Sequence, residues 1–329
     1  MVGSMGPAES VLAATVARRY YLNGEAKKDI ADELGINRFK VARLLESALE
    51  SGLVTISIAT VGGVDMDASS QLAQRFGLTR CVVVASSNTP SSETLAQLGR
   101  TAAELMSEVL TDQDVLGLPW SRSVLAMTTE LRDVPAVQVV QLSGAMELPG
   151  INASTVDIVR ETARVSRGSS VIFHAPFLLD DAASASAVRR QPSVGAGLRA
   201  VRDVTHAVVG LGLWSPGLST VHDMATVTER KALAEDGVVG EIAGVFFDEQ
   251  GQVVASELSE RLITLSGPDL TRIPHKTAIV EGAAKAPGVV AALRGGLING
   301  LVVDSAAAIA MLQHDATRAE TAGARPTGS

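Results

Sequence analysis

From Cys81 to Asp304 the chain repeats one pattern: a short apolar run, a loop of small or polar residues, then a stretch with helical spacing. Short unalternating apolar runs have to be covered on both faces, and helices lying between them supply the cover. The repeat therefore predicts an α/β fold with a mostly parallel sheet clothed on both sides. The expected strands are Cys81–Ser86, Asp114–Leu118, Val137–Leu142, Ser170–His174, Ala207–Leu213, Ala243–Asp248, Thr277–Glu281 and Leu297–Asp304. The expected helices are Asp67–Phe76, Thr94–Leu110, Arg122–Leu131, Thr155–Ser166, Ala284–Leu293 and Ser305–Leu312. Apolar residues make up 46% of the chain but aromatics only 3%, so the interior rests on Val, Leu, Ala and Ile, which suits such layers better than an aromatic-rich sandwich.

The first sixty residues follow another rule. Ala13, Val16, Ala17 and Tyr20 form the stripe of an amphipathic helix over Ser10–Leu22, which Asn23-Gly24 ends. A short helix, Ala26–Leu34, is followed by Gly35-Ile36-Asn37: a permissive turn residue, an apolar plug and a helix N-cap. The third helix, Arg38–Ser51, places Val41, Leu44, Leu45, Ala48 and Leu49 on one face and leaves Arg38, Lys40 and Arg43 off it. Leu53–Ile58 then alternates like a strand. This is the order of a winged helix-turn-helix, whose second helix enters the major groove and presents N-terminal side chains to base edges. Net charge is −8, and residues 1–60 carry seven cations and seven acids. Three of those cations nevertheless lie within Arg38–Arg43 with no acid among them, a local basic tip on a neutral module. A plain three-helix bundle with a solvated charged face is the blander reading. Asn37, Arg38, Phe39, Lys40 and Arg43 are the candidate DNA-binding residues.

Ligands of parallel sheets bind beyond the C-terminal ends of the strands. Three loops there carry suitable groups. Gly117-Leu-Pro-Trp-Ser-Arg-Ser123 offers hydroxyls, a guanidinium and helix-start amides, which suit a phosphate or a row of sugar hydroxyls. Gly210–Ser219 is a small-residue loop without dinucleotide spacing, and Gly282-Ala-Ala-Lys285 sets an ammonium at a helix start. Taken alone, Lys285 and Arg122 are also compatible with ordinary surface cations. The five histidines lack metal-ligand spacing, and Cys81, the single cysteine, opens an apolar run and reads as a strand residue. No metal, cofactor or catalytic residue is expected. No apolar stretch approaches a membrane span, and the N-terminus lacks an export signal, so a cytoplasmic protein is expected.

Arg19-Tyr-Tyr-Leu-Asn-Gly24, Asp29–Asn37, Arg38–Leu45 and Glu50–Ile56 closely resemble the DNA-binding module of the SorC family, bacterial regulators controlled by sugars and sugar phosphates. The resemblance extends over residues 9–313. It includes Asp114–Ser123, Val139–Gly144, His174-Ala-Pro176, Gly237–Ile242, Phe246-Phe-Asp248 and, most distinctively, Ala291–Asp304. It implies the fold of sugar-phosphate isomerases and glucosamine-phosphate deaminases for the larger domain. It also implies an effector site at Ser121, Arg122, Ser123, Glu241 and Lys285; Trp120 and Gly144, in the resembling segments, complete the candidate set. Ser121 and Arg122 depart from the family's commoner Gly-Thr, so the effector is left as a sugar, a polyol or a sugar phosphate. The expected organisation is a DNA-binding domain over 1–58, an effector domain over 59–313 and a flexible tail over 314–329. The expected partners are double-stranded operator DNA and a second copy or more of the chain, as homodimer or homotetramer. An isomerase or deaminase carrying a DNA-binding domain is the competing reading. It would need a carboxylate or imidazole poised for proton transfer, and no strand-to-helix loop clusters Asp, His and Glu.

Overall fold

A computed structural model describes residues 6–55, 63–85, 91–146 and 153–323. The chain forms two compact units, Met1–Ala59 and Thr60–Ser329.

In the first unit, α1 (Pro7–Ala17) begins with proline in its first turn, where a missing N–H costs nothing, and runs on through a wider turn at Arg18–Leu22. Helices α2 (Lys27–Glu33) and α3 (Arg38–Glu50) follow. Ala13, Val16 and Ala17, Ile30 and Ala31, and Val41, Leu44, Leu45 and Ala48 meet in one small core. Gly35 turns the chain between α2 and α3 at φ +62°, which an L side chain rarely adopts. Asn37 then caps α3: its Oδ1 accepts the Lys40 amide at 2.7 Å. The expected strand at Leu53–Ile58 is corrected for its first half. Gly52 ends the helical turn, and the Val54 amide donates back to Ala48 O, so Leu53–Thr55 bends over the helix end and forms no ladder. The remainder, 56–58, lies outside the described residues.

The second unit is built on an eight-stranded sheet of β1 (Val64–Asp65), β2 (Arg80–Val84), β3 (Val115–Leu118), β4 (Gln138–Gln141), β5 (Ser170–Val171), β6 (His206–Gly210), β10 (His275–Val280) and β11 (Gly300–Asp304). Its order is β1-β2-β11-β10-β6-β3-β4-β5, parallel throughout except for β1 against β2. Alternate residues serve opposite faces. Leu116, Val139, Val208, Ile279 and Val302 pack with α5 (Ser91–Val109), α6 (Arg122–Glu130) and α7 (Thr155–Ser166). Val140, Val209, Ala278, Val280, Leu301 and Val303 pack with α4 (Met66–Phe76) and the helices Ala286–Arg294 and Ser305–Gly323. From β3 the chain steps outward through β4 to β5; restarting at β6, it steps the other way through β10 to β11. The strand order therefore reverses between β3 and β6, the kind of crevice in which open α/β sheets bind ligands.

In the second unit the expected strand Ser170–His174 shortens to β5, and four larger differences follow. The run Ala207–Leu213 divides into β6 and β7 (Gly212–Leu213). Ala243–Asp248 does not join the parallel sheet: Ala243 and Gly244 turn at positive φ, and β9 (Val245–Asp248) folds back on β8 (Val238–Ile242) to make a separate antiparallel sheet, β7-β8-β9. Lys285 closes a single 3-10 turn, Ala283–Lys285, just ahead of the helix it was expected to start. The tail expected to fray from His314 instead continues the last helix to Gly323. Ala308 and Met311 are buried there, and Asp315 accepts hydrogen bonds from both Arg75 and Arg294, each at 2.6 Å, which anchors a stretch of good helix formers.

Candidate functional site

At the reversal of strand order lies a cavity of about 470 Å³. Four strand ends feed it: Trp120–Ser123 follow β3, Ser143 follows β4, Gly210–Gly212 end β6 and lead into β7, and Glu281, Gly282 and Lys285 follow β10. Glu241, from β8 of the small sheet, closes it from the side. Six of the seven candidate effector residues thus line one space: Trp120, Ser121, Arg122, Ser123, Glu241 and Lys285. Gly144 does not. Its amide donates to Ile263 O, its carbonyl accepts the Thr155 hydroxyl, and a Cβ there would press on the Pro176 carbonyl, so it joins two loops behind the wall. Ser143 lines the space in its place.

Each wall residue is held by a specific contact. Trp120 is buried and donates Nε1–H to Ala153 O at 3.0 Å. Ser121 caps α6, its Oγ accepting the Val124 amide at 2.9 Å and lying 3.2 Å from the Ser123 Oγ. Helical geometry leaves the other first-turn amides of α6 without intrahelical partners, a ready anion seat. Gly210 makes the approach possible: a Cβ there would stand 2.7 Å from both Cβ and Oγ of Ser121. Gly212 does the same for Ser219 and Glu241.

The cavity carries charges of both signs. Arg122, at the first turn of α6, is exposed and has no ion-pair partner among the described residues. Lys285 is half-buried; burial lowers its pKa, the Glu241 and Glu281 charges oppose that shift, and Arg122 adds to it. Glu241 is buried, which raises its pKa against the pull of Gly244, Ser219 and Lys285. Its Oε1 accepts the Ser219 hydroxyl and its Oε2 the Gly244 amide, both at 2.9 Å. Glu281 accepts the Ser91 hydroxyl at 2.6 Å. The cavity therefore offers cations, hydroxyls and amides together with carboxylates already oriented by neighbours. A second, more open depression of about 740 Å³ between α6 and α7 carries arginines too. Of these, Arg164 is paired with Glu161 and Arg132 donates to the carbonyls of Thr129 and Leu131, while Arg167 is exposed, and no strand end of the sheet feeds the depression.

Sequence reasoning had marked the loop carrying Gly210, Gly212 and Ser219 without assigning those residues, and it missed Ser143, Asp223 and Glu281. Glu281 could have been found as the first polar residue after an apolar strand ending in Val280. Asp223, six residues beyond a glycine turn, carried no local signal.

The first unit presents another surface. Asn37, Arg38, Phe39, Lys40 and Arg43 are all exposed at the N-terminal half of α3. The contrast with Arg19 is instructive, since that guanidinium is paired with Glu25 and Glu33. No ion pair engages Arg38, Lys40 or Arg43 among the described residues.

A switch-point cavity lined by cations, hydroxyls and carboxylates in one unit, and a helix-turn-helix in the other, define the class to which comparison then gives a family. Residues 63–313 match the family model described as "Putative sugar-binding domain". The transcriptional regulator LsrR of Klebsiella pneumoniae is 31% identical over 312 residues, covering 93% of this chain and 94% of that protein. The deoxyribonucleoside regulator of Bacillus subtilis is 27% identical, covering 92% and 97%. The crystal structure of the full-length sorbitol operon regulator SorC from Klebsiella pneumoniae superposes with a TM-score of 0.69 at 25% identity, covering 93% of this chain and 99% of that one. The chain belongs to the SorC-type sugar-binding transcriptional regulators.

Proposed function

We propose that this chain regulates transcription by holding operator DNA with α3 while the switch-point cavity senses a sugar, polyol or sugar phosphate. Arg38, Lys40 and Arg43 contact the duplex, Asn37 fixes the start of the helix, and the ligand's most electronegative end sits on Ser121–Ser123 and Lys285, with its hydroxyls toward Glu241. The observation that carries the reading is the convergence of Ser121, Arg122, Ser123, Lys285 and Glu241 in one cavity at the strand-order reversal. The relatives' names support regulation, and the sorbitol and deoxyribonucleoside regulators support a polyol- or sugar-like ligand. Sensing is favoured over turnover because both oxygens of Glu241 are engaged by the chain's own groups. Moving protons between adjacent sugar carbons requires an acid–base group free to exchange with the substrate. The working unit is a homodimer or homotetramer in the cytoplasm, since one helix-turn-helix buries little surface and paired modules on two half-sites gain affinity through effective concentration.

Two measurements on the full chain test this. Selection from a pool of random duplexes should yield a common sequence with two half-sites. A thermal-shift panel of sugars, polyols and their phosphates should yield at least one stabilising ligand that is lost on Lys285→Met. Selection of no duplex, or stabilisation unchanged by Lys285→Met, would sink the corresponding half of the proposal.

A further inference from the structure

Phe39 stands apart from the rest of α3. Its side chain is 85% exposed, the highest value among the exposed large apolar residues of the described chain. It cannot join its own core: Val41, Leu44, Leu45 and Ala48 form the buried stripe, and at about 100° per residue Phe39 lies roughly 200° from Val41, on the opposite side of the helix. That opposite side carries Arg43 one turn further on, while Arg38 and Lys40, its neighbours in sequence, project about 100° to either side, all three exposed. Full exposure of a phenyl group is unfavourable in water, so the ring is explained by what covers it when the surface is occupied. The three exposed cations on the same half of the helix favour a polyanion as the occupant. A phenyl ring has neither donor nor acceptor, and in the major groove the complementary apolar feature of a base edge is the C5-methyl group of thymine.

We infer that Phe39 is a specificity-determining residue that packs against a thymine methyl in each half-site, while Arg38, Lys40 and Arg43 supply the polar and phosphate contacts around it. The inference rests on the assignment of α3 as the DNA-contacting helix and deepens it from general affinity to one base.

The test is a cycle between one side chain and one methyl group. The probe is the tightest duplex that the full-length wild-type protein selects from random DNA, remade with each thymine in turn replaced by deoxyuridine, which lacks only the methyl. Wild type should weaken by about fourfold at one thymine per half-site, the equivalent of ~0.8 kcal/mol for one methyl-sized group taken out of water. Phe39→Ala should bind the all-thymine duplex more weakly and be indifferent to deoxyuridine at that position, and Phe39→Leu should keep part of the effect. Because the ring is exposed, both variants should melt as wild type does. The inference is overturned if no deoxyuridine weakens wild type, if Phe39→Ala shows the wild-type sensitivity, or if Phe39→Ala instead changes the sedimenting mass, which would place the ring against another protein chain. Failure to select any duplex would remove the DNA-contacting role of α3 altogether. A selected duplex without methyl sensitivity would remove only the role given to Phe39.

Discussion

The two charged surfaces of this chain are built on opposite principles. On α3, Arg38, Lys40 and Arg43 are exposed and lack carboxylate partners among the described residues. In the cavity, Lys285 faces Glu241 and Glu281, and Glu241 is in turn held by Ser219 and Gly244. Exposed cations keep their ordinary charge and act over a Debye length, so they suit a long polyanion and respond to salt. In the cavity, Lys285 and Glu241 are drawn from water and positioned by neighbours, so they suit one small ligand in one pose, while Arg122 stays as exposed as the α3 cations.

Removing the exposed pair breaks the comparison hardest. Each arginine contacting a base edge contributes ~1–3 kcal/mol, so Arg38→Ala with Arg43→Ala should weaken operator binding about a hundredfold or more and flatten its dependence on salt. Anisotropy titration across a salt series measures both, and a wild-type isotherm from the double variant would exclude α3 as the reader. In the cavity, Arg122→Ala or Lys285→Met should weaken the effector by roughly tenfold, as expected for a charged hydrogen bond of ~1.5–3 kcal/mol. Calorimetry should show that loss while operator affinity without effector stays unchanged; losing both together would mean that the charges serve the fold.

Smaller effects sharpen the contrast between positioning and contact. Asn37→Ala removes the cap of α3 and should cost ~1 kcal/mol of stability in chemical denaturation, with Asn37→Ser close to neutral. A larger loss would mean that Asn37 does more than cap. The smallest effect lies at the opposite end of the strands from the cavity. There His206 stacks on His275 with ring centroids 4.4 Å apart, and its Nδ1 lies 3.2 Å from Asp114 Oδ1. Burial lowers the His206 pKa; Asp114 opposes this, while His275 and Arg80 reinforce it. A folded pKa below the unfolded value of about 6.5 means that the unfolded chain binds the proton more readily. Stability is therefore complete above about 6.5 and declines as pH falls below it. Melting temperature against pH should show that decline, and His206→Gln should reduce it; an unchanged slope would remove His206 as its origin.

The legibility of the fold follows from where its signals are local. Short unbroken apolar runs mark β2, β3, β4, β10 and β11, because each is buried on both faces. The antiparallel sheet was misplaced because its register depends on the turn at Ala243–Gly244, and nothing in an alanine announces φ +53°. The last helix was cut short because a small, polar stretch looks frayed until Arg75 and Arg294 arrive from distant segments to hold Asp315. The cavity divides in the same way. Ser121–Ser123 and Lys285 carry the strand-then-helix signature, and Glu241 entered through family resemblance. Ser143, Asp223 and Glu281 reach the space by tertiary folding. Gly144, equally marked by resemblance, turns out to be a packing glycine with both backbone groups engaged.

Ligand-controlled regulation requires coupling between the two surfaces. The direct measurement is operator affinity with and without saturating effector, in wild type and in Arg122→Ala with Lys285→Met. Allosteric coupling is typically ~1–3 kcal/mol, so wild type should shift its operator affinity by about fivefold or more. The double variant should bind the operator with the effector-free affinity of wild type and fail to shift at effector concentrations that saturate wild type. If the ligand that stabilises wild type leaves its operator affinity unchanged, or if the double variant shifts as wild type does, the cavity does not control the reader.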